Sequence, residues 1–298
     1  MPTTITAAMV KELRALTDAA MMDCKKALEN SAGDMQAAVD FLRKSGQAKA
    51  AKRAGKIVAE GAIVIAMNPE KMTAAMLEVN CETDFVARDQ SFKSFSDMLA
   101  KTSLKINSVA LTEIMSHKSL SQPELTCEQV RESLVLKIGE NIQPRRVAIV
   151  TSVSGCVGAY LHGDRIGVLV AIDQKNDALA KDIAMHIAAT NPVAIDEKDI
   201  PEAFIAKERE IFTAQAQSSG KAEAIIAKMV EGRLQKYMKE VCIVHQSFVK
   251  NPDQTVGDLL KAAHAKLIAF ARFEVGEGIE KQVTDFAEEV NATLKGSA

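Results

Sequence analysis

Residues 61–81 read GAIVIAMNPEKMTAAMLEVNC. The runs GAIVIAM (61–67) and TAAMLEVNC (73–81) are apolar, β-like and short, and Asn68-Pro69 between them is turn chemistry. Together they predict a β-hairpin. Helical patterning returns after Asp84 and runs to about Ile106, and a second helix is expected over 124–139, stopped by Gly139. Strand, strand, helix, helix describes one α+β unit, bounded at 56–142.

The same logic extends downstream. RRVAIVTSV (145–153), CVGAYLHG (156–163) and RIGVLVAID (165–173) are three strand-like runs joined by short turns, and they predict an antiparallel meander covered by a helix at 177–189. CIVHQSFV (242–249) and LIAFARFEV (267–275) read as further strands flanking a short helix at 255–265. A second αβ unit is therefore expected from 143–195 and 242–278, and its similar order suggests a duplicated subdomain. The intervening 196–241 is different. Pro201 opens a helix with Phe204, Ile211 and Phe212 on one stripe. Ser218-Ser219-Gly220 breaks it, and a second helix carries Ile226, Met229, Val230, Leu234, Tyr237, Met238 and Val241. That is an inserted antiparallel helical hairpin, suited to an interaction arm. The tail 279–298 predicts an amphipathic helix with Ile279, Val283, Phe286, Val290 and Leu294 on its apolar face.

Upstream, residues 1–55 predict three short helices. Thr6 caps the first, which holds Met9, Val10, Leu13 and Leu16 and is broken at Thr17-Asp18. The second carries Met21, Met22, Cys24 and Leu28. The third carries Met35, Val39, Phe41 and Leu42 and is expected to end at Ser45-Gly46. Arg43, Lys44, Lys49, Lys52, Arg53 and Lys56 follow without an acidic residue until Glu60. Such a run is either a solvated linker or a contact for RNA or another acidic partner, and the linker is the simpler reading.

Composition narrows the function. The chain has 298 residues, about two domains' worth. Apolar residues make up 47% and charged residues 26%, a globular balance. Its 37 Lys plus Arg against 39 Asp plus Glu give a net charge of −2, without the basic excess of a dedicated nucleic-acid binder. Aromatics are 4% with no Trp, which leaves few platforms for base stacking. Five cysteines, an odd number without a CxxC, point to a reducing compartment. The N-terminus has neither a secretory h-region nor transit-peptide composition, and no run approaches the 18 apolar residues of a membrane span. A cytoplasmic protein is expected.

Motifs for catalysis are scarce. GxxxxGK[ST], GxGxxG and GxSxG do not occur. Gly155-Cys156-Val157-Gly158 fits the GxxG of KH modules, but that loop joins helices, whereas this one lies between strands and reads as a β-turn. Cys242 and His245 form a single CxxH pair, half of a structural zinc set, on what reads as opposite faces of a strand. No cofactor, metal or catalytic residue is expected. One stretch does carry chemistry: Asn80-Cys81-Glu82-Thr83-Asp84-Phe85-Val86. A strand ends there and a helix starts at Thr83 or Asp84, both N-cap types. Phe85 is then either an outward wedge beside a carboxylate or a core residue behind the cap. Local sequence alone favours the core.

Taken in order, VKELR (10–14), MMDCKKAL (21–28), LEVNCETDFVA (77–87), HGDRIGVLV (162–170), IAMH (183–186), KMVEGR (228–233) and FEVGEGIEK (273–281) resemble the bacterial elongation factor Ts family over nearly the whole chain. The resemblance implies an α+β fold: a UBA-like three-helix N-terminal domain, two antiparallel αβ core subdomains, the inserted hairpin as a coiled-coil arm for dimerisation or auxiliary contact, and a C-terminal helix. It implies a guanine nucleotide exchange factor for elongation factor Tu that makes and breaks no bond itself. Thr83, Asp84, Phe85 and Val86 would dislodge Mg²⁺ from the GTPase. His162 and Gly163 would form a second insertion point, and Arg14, Met21, Met22 and Lys25 an N-terminal contact. Neither a membrane nor nucleic acid would be a partner; an RNA- or ribosome-binding module is the rival reading. Leu16 stands where a basic residue is usual, Asp18 and Ala20 where glycines are common, and Glu82 where Gln is usual.

Overall fold

The computed structural model describes residues 4–217 and 222–280. Both the hairpin break at 218–220 and most of the expected tail helix lie outside these residues. Three helices come first: α1 (Ala7–Thr17), α2 (Met21–Asn30) and α3 (Met35–Arg53). Thr6 caps α1 by accepting from the Met9 amide at 3.3 Å, and Asp34 caps α3 by accepting from Ala37 at 2.7 Å. Val10, Leu13, Cys24, Ala27, Leu28, Ala38 and Leu42 close a small core.

Contrary to expectation, α3 does not stop at Gly46. It continues to Arg53, so most of the basic run is helix rather than linker. Gly46 sits against the next helical layer: a Cβ there would lie 3.1 Å from the Glu132 carbonyl oxygen. Glycine here is a close-packing residue, and tertiary contact overrides its local stop signal. Lys49 pairs with Asp23 at 3.0 Å and Arg53 with Glu82 at 3.0 Å, which takes two cations out of any phosphate-binding run.

Asp18 ends α1 at φ +54, the left-handed region that glycine enters freely. A side chain there costs about 1 kcal/mol. The Asp18 carboxylate forms an ion pair with Lys137, which also donates to Ser91, and this ties the three-helix unit to the core.

The core begins with the hairpin β1 (Glu60–Met67) and β2 (Thr73–Cys81), in register from Glu60 opposite Cys81 to Met67 opposite Ala74. Then come α4 (Asp84–Arg88), α5 (Gln90–Ile106), α6 (Leu111–Ser116) and α7 (Cys127–Ile138). The single helix expected after Asp84 is split at Asp89, whose extended backbone breaks the chain while its carboxylate caps α5 through the Ser91 and Phe92 amides. Thr126 and Gln129 form a capping box on α7, and Gly139 ends it at φ +86.

β3 (Ile142–Thr151) corrects the expected meander. It pairs with β2, not with the strand that follows it, giving a sheet of order β1-β2-β3. The second sheet is β4 (Cys156–His162), β5 (Ile166–Ile172) and β8 (Leu267–Glu274), in that order. The boundary between the sheets thus falls in the loop after Thr151, not at 142/143. α8 (Asp177–Thr190), the hairpin α9 (Glu202–Gln217) and α10 (Glu223–Val241), the small ladder β6 (Ser247–Phe248) and β7 (Asn251–Thr255), and α11 (Val256–Ala262) complete the described chain. The strand expected over 242–249 is mostly a 3₁₀ turn at Ile243–His245 with two strand residues after it. Cys242 is buried below the hairpin with Ala194 and Ile200, while His245 lies 3.4 Å from Glu197.

The two sheets face each other. Ile63, Ala74, Met76 and Val150 from the first pack on Val157, Leu169 and Ala171 from the second. Helices α5 and α7 cover the outer face of the first sheet around Leu77, Val79, Phe92 and Leu99. α8 and α11 cover the second around Val168, Val170, Ile183 and Leu260. The order is helix, sheet, sheet, helix, so both faces of β2 are buried, which is why its sequence shows no polar alternation. Gly167 marks a close approach: a Cβ there would meet Ile63 Cγ2 at 2.4 Å and Met76 Sδ at 2.8 Å.

His186 on α8 is buried. Its Nε2 lies 2.9 Å from Gln246 Oε1, and its Nδ1 accepts from the Val249 amide at 3.4 Å. A neutral ring with the proton on Nε2 satisfies both. Burial lowers its pKa below the ordinary 6.5, and the Gln246 bond only partly opposes this. The unfolded chain then binds the extra proton first, so stability falls as pH drops below about 6.5. Thermal melts across this range should show that decline, and His186→Gln should flatten it. An unchanged slope in the variant would rule His186 out as its source.

Candidate partner-binding site

The 83–86 stretch starts at the end of β2. Cys81 is buried, and its Sγ lies 3.1 Å from the Thr83 carbonyl. Burial, with Glu140 and Glu60 adding to it, pushes the Cys81 thiol up to about 12, so it is a packing residue and not a nucleophile. Thr83 caps α4 by accepting from the Val86 amide at 3.4 Å. Its own amide and hydroxyl donate to the two carboxylate oxygens of Glu140, at 3.0 and 2.8 Å. Val86 and Ala87 turn inward and are buried. Phe85, between cap and buried face, is left 80% exposed. The core alternative for Phe85 is therefore excluded. Asp84 beside it is half-exposed and pairs with Arg88 one turn on, at 2.8 Å.

Glu82, where the resembling family usually has Gln, is fully engaged. Its carboxylate takes Arg53 Nη1 at 3.0 and 3.2 Å and the Asn141 amide at 2.6 Å.

His162 ends β4 and is exposed, with Tyr160 Oη 3.3 Å from its Nδ1. Gly163 follows at φ +58 and makes the tight return into β5. The turn is anchored on the other sheet: the Ile63 amide donates to the Asp164 carbonyl at 2.8 Å, Lys93 of α5 reaches the Asp164 carboxylate at 2.8 Å, and Arg165 pairs with Glu60 at 3.0 Å. Asp164 and Arg165 thus bring the His162 turn to the end of the first sheet from which Thr83–Val86 emerges.

The N-terminal candidates lie on the three-helix unit. Arg14 on α1 and Lys25 on α2 are exposed. Met21 and Met22 open α2 at 56% and 73% exposure, next to Leu16 at 66%. Three large apolar side chains on one small unit form a patch of the kind partners cover. Between this unit and the core runs a cleft of about 720 Å³ walled by Leu16, Leu42, Phe95, Leu134 and Lys137.

No group of three or more His, Cys, Asp or Glu among the described residues is arranged to hold a metal. Sequence reasoning missed Glu140, which is 57 residues from Thr83, and the pairing of Glu82 with Arg53. Neither leaves a local pattern.

Residues 82–277 match the family model described as elongation factor TS. Relatives cover the chain end to end. Elongation factor Ts of Thioalkalivibrio sulfidiphilus is 51% identical over 295 residues, 99% of this chain and 100% of its own length. Elongation factor Ts of Coxiella burnetii (strain Dugway 5J108-111) is 54% identical over 297 residues, 99% of both chains. Elongation factor Ts of Legionella pneumophila (strain Paris) is 49% identical over 292 residues, 98% of this chain and 99% of its own.

Proposed function

The chain belongs to the elongation factor Ts family, and from that premise we propose that it is a guanine nucleotide exchange factor in translation elongation, acting on the GDP complex of elongation factor Tu in the cytoplasm. No helix among the described residues is long and apolar enough to cross a membrane. The observation that carries the reading is Phe85, an apolar side chain held out in solvent on the first turn of a helix whose other face is buried.

The mechanism is coupling. If binding of this factor weakens nucleotide binding to the GTPase, nucleotide weakens binding of the factor by the same ratio. The factor then needs contacts that the Mg²⁺-nucleotide state of the GTPase cannot accept. Burying Phe85 in an apolar pocket of the partner contributes about 1.5–3 kcal/mol. Asp84 supplies a carboxylate beside it, directed at the polar groups that hold the metal's water shell. Freeing Asp84 from Arg88 costs little, since an exposed pair of this kind is worth at most about 1 kcal/mol. Loss of Mg²⁺ strips the phosphates of their main counter-charge and GDP leaves.

His162 and Gly163 supply the second contact, on the same end of the molecule, and Arg14, Met21, Met22 and Lys25 grip the nucleotide-binding domain. The hairpin α9–α10 serves as an arm for dimerisation or auxiliary contact. Phe212, Val230 and Leu234 hold it together, with Tyr237 edge-on to Phe212 at 5.6 Å.

Stopped-flow release of labelled GDP from elongation factor Tu, at high Mg²⁺ and in chelator, tests the metal step. Chelator alone should speed release, and this protein should then add less than its usual fold increase. Asp84→Ala should be impaired at high Mg²⁺ and close to wild type in chelator, where its step is bypassed. Equal stimulation by wild type under both conditions would remove the metal from the mechanism.

A further inference from the structure

We infer that Glu140 is a positioning residue for exchange: through Thr83 it holds the Phe85 wedge in its outward, binding-ready orientation. This rests on the wedge reading given above.

The need for such a residue follows from the size of α4. It has five residues, far below the roughly 12–15 at which a helix stands alone in water. So short a helix does not hold its place by its own hydrogen bonds. Val86 and Ala87 anchor its inner face, and Asp89 ends it. Its start is set by a reciprocal clasp between two chain segments. Glu140 receives the Thr83 amide and hydroxyl, while Glu82, one residue before Thr83, receives the amide of Asn141, one residue after Glu140. Each carboxylate thus binds the backbone beside the other. Hydrogen bonds to an ionised acceptor are the strong kind. Gly139, in the left-handed conformation at the end of α7, turns the chain so that Glu140 returns to the end of β2. Asn141 Nδ2 also donates to the Lys56 carbonyl at 3.1 Å, and Arg53 at the end of α3 holds Glu82. The clasp therefore sits where α3, β2 and α7 meet.

A side chain that is exposed before binding pays an ordering cost on docking unless its backbone is already fixed. Removing one half of the clasp should raise that cost without touching the partner's surface. Glu140→Gln, which keeps the shape but loses the charge and one acceptor, should lower stimulated GDP release about threefold to tenfold. The loss should appear only where there is a wedge to position. In a Phe85→Ala background, Glu140→Gln should change release by less than about twofold, because residues acting as one unit are not additive.

The experiment is GDP release from elongation factor Tu with wild type, Glu140→Gln, Phe85→Ala and the double variant, each normalised to folded protein by circular dichroism. A Glu140→Gln variant at full activity overturns the inference. So does an equal fold loss in the two Phe85 backgrounds, which would assign Glu140 to general stability or to a separate contact. If Phe85→Ala is itself unimpaired, the wedge reading falls and this inference with it. That outcome is distinct from an impaired Phe85→Ala with additive Glu140→Gln, which leaves the wedge standing.

Discussion

Phe85→Ala is expected to cut stimulated GDP release about tenfold to a hundredfold, the equivalent of the roughly 1.5–3 kcal/mol gained by burying that ring in a partner. Its melting transition should barely move. An 80% exposed ring contributes almost nothing to the isolated fold, and surface substitutions of this kind stay within about 0.5 kcal/mol. The pairing of a large functional effect with a silent melt is the signature to look for in stopped-flow release and thermal denaturation side by side. A strongly lowered melt with unchanged exchange per folded molecule would mean that Phe85 supports the fold and not the partner.

The largest effect on stability should come from Glu78. It is fully buried on β2, facing the second sheet, with Arg145, Arg146, Asn80 and the Gly276 amide all donating to its carboxylate. Arg146 lies over the Phe273 ring at 4.3 Å and also reaches Glu277 at 3.0 Å, so the cluster joins β2 and β3 to the chain leaving β8. Burial alone would raise the Glu78 pKa, but the Gly276 amide, Asn80 and Arg146 outweigh it and hold the carboxyl below its ordinary 4.5. Glu78→Ala removes the buried carboxylate that two guanidinium groups and two further donors share, and should cost about 3–5 kcal/mol. Glu78→Gln leaves the arginines short of a countercharge and should cost less. Because the native pKa is depressed, the stabilisation by Glu78 is fully present above about pH 4.5 and is lost as pH falls through the native value. The gap in melting temperature between wild type and Glu78→Gln should therefore narrow on acidification. A gap that stays constant would show that the charge itself does not matter.

Much of this fold can be read locally. The apolar runs and turn chemistry of 61–81 specify a hairpin, and Thr6 and Gly139 announce the helix ends they make. Strand partners are another matter. Residues 142–151 read as a strand from their own composition, but nothing in them says that they pair with β2 rather than with β4. That choice depends on which face is left to bury once the hairpin has formed. Gly46 misleads for a similar reason: glycine is a stop where a helix is alone and a contact where another helix lies against it.

The site divides the same way. Thr83 as a cap follows from its type and place. Phe85 reads as core because aromatic residues usually are; it is outside because Val86 and Ala87 already fill the inner face of so short a helix. The pairing of Glu82 with Arg53 and of Glu140 with Thr83 joins segments 29 and 57 residues apart, beyond the reach of any periodicity.

The near contact of the sheets at Gly167 bears on recognition. Phe85 leaves from the end of one sheet and His162 from a turn of the other, so the two sheets are the jaws of a caliper, and the missing side chain at Gly167 sets how far the jaws close. Interiors packed to crystalline density do not yield continuously. The gap between Phe85 and the His162 turn is then a fixed length, and on the exchange mechanism proposed above it is gauged against the partner before they meet. On that same proposal, fit to a different GTPase surface can be tuned by the size of side chains buried between the sheets, such as Ile63, Met76 and Leu169, with no change to Phe85 or His162.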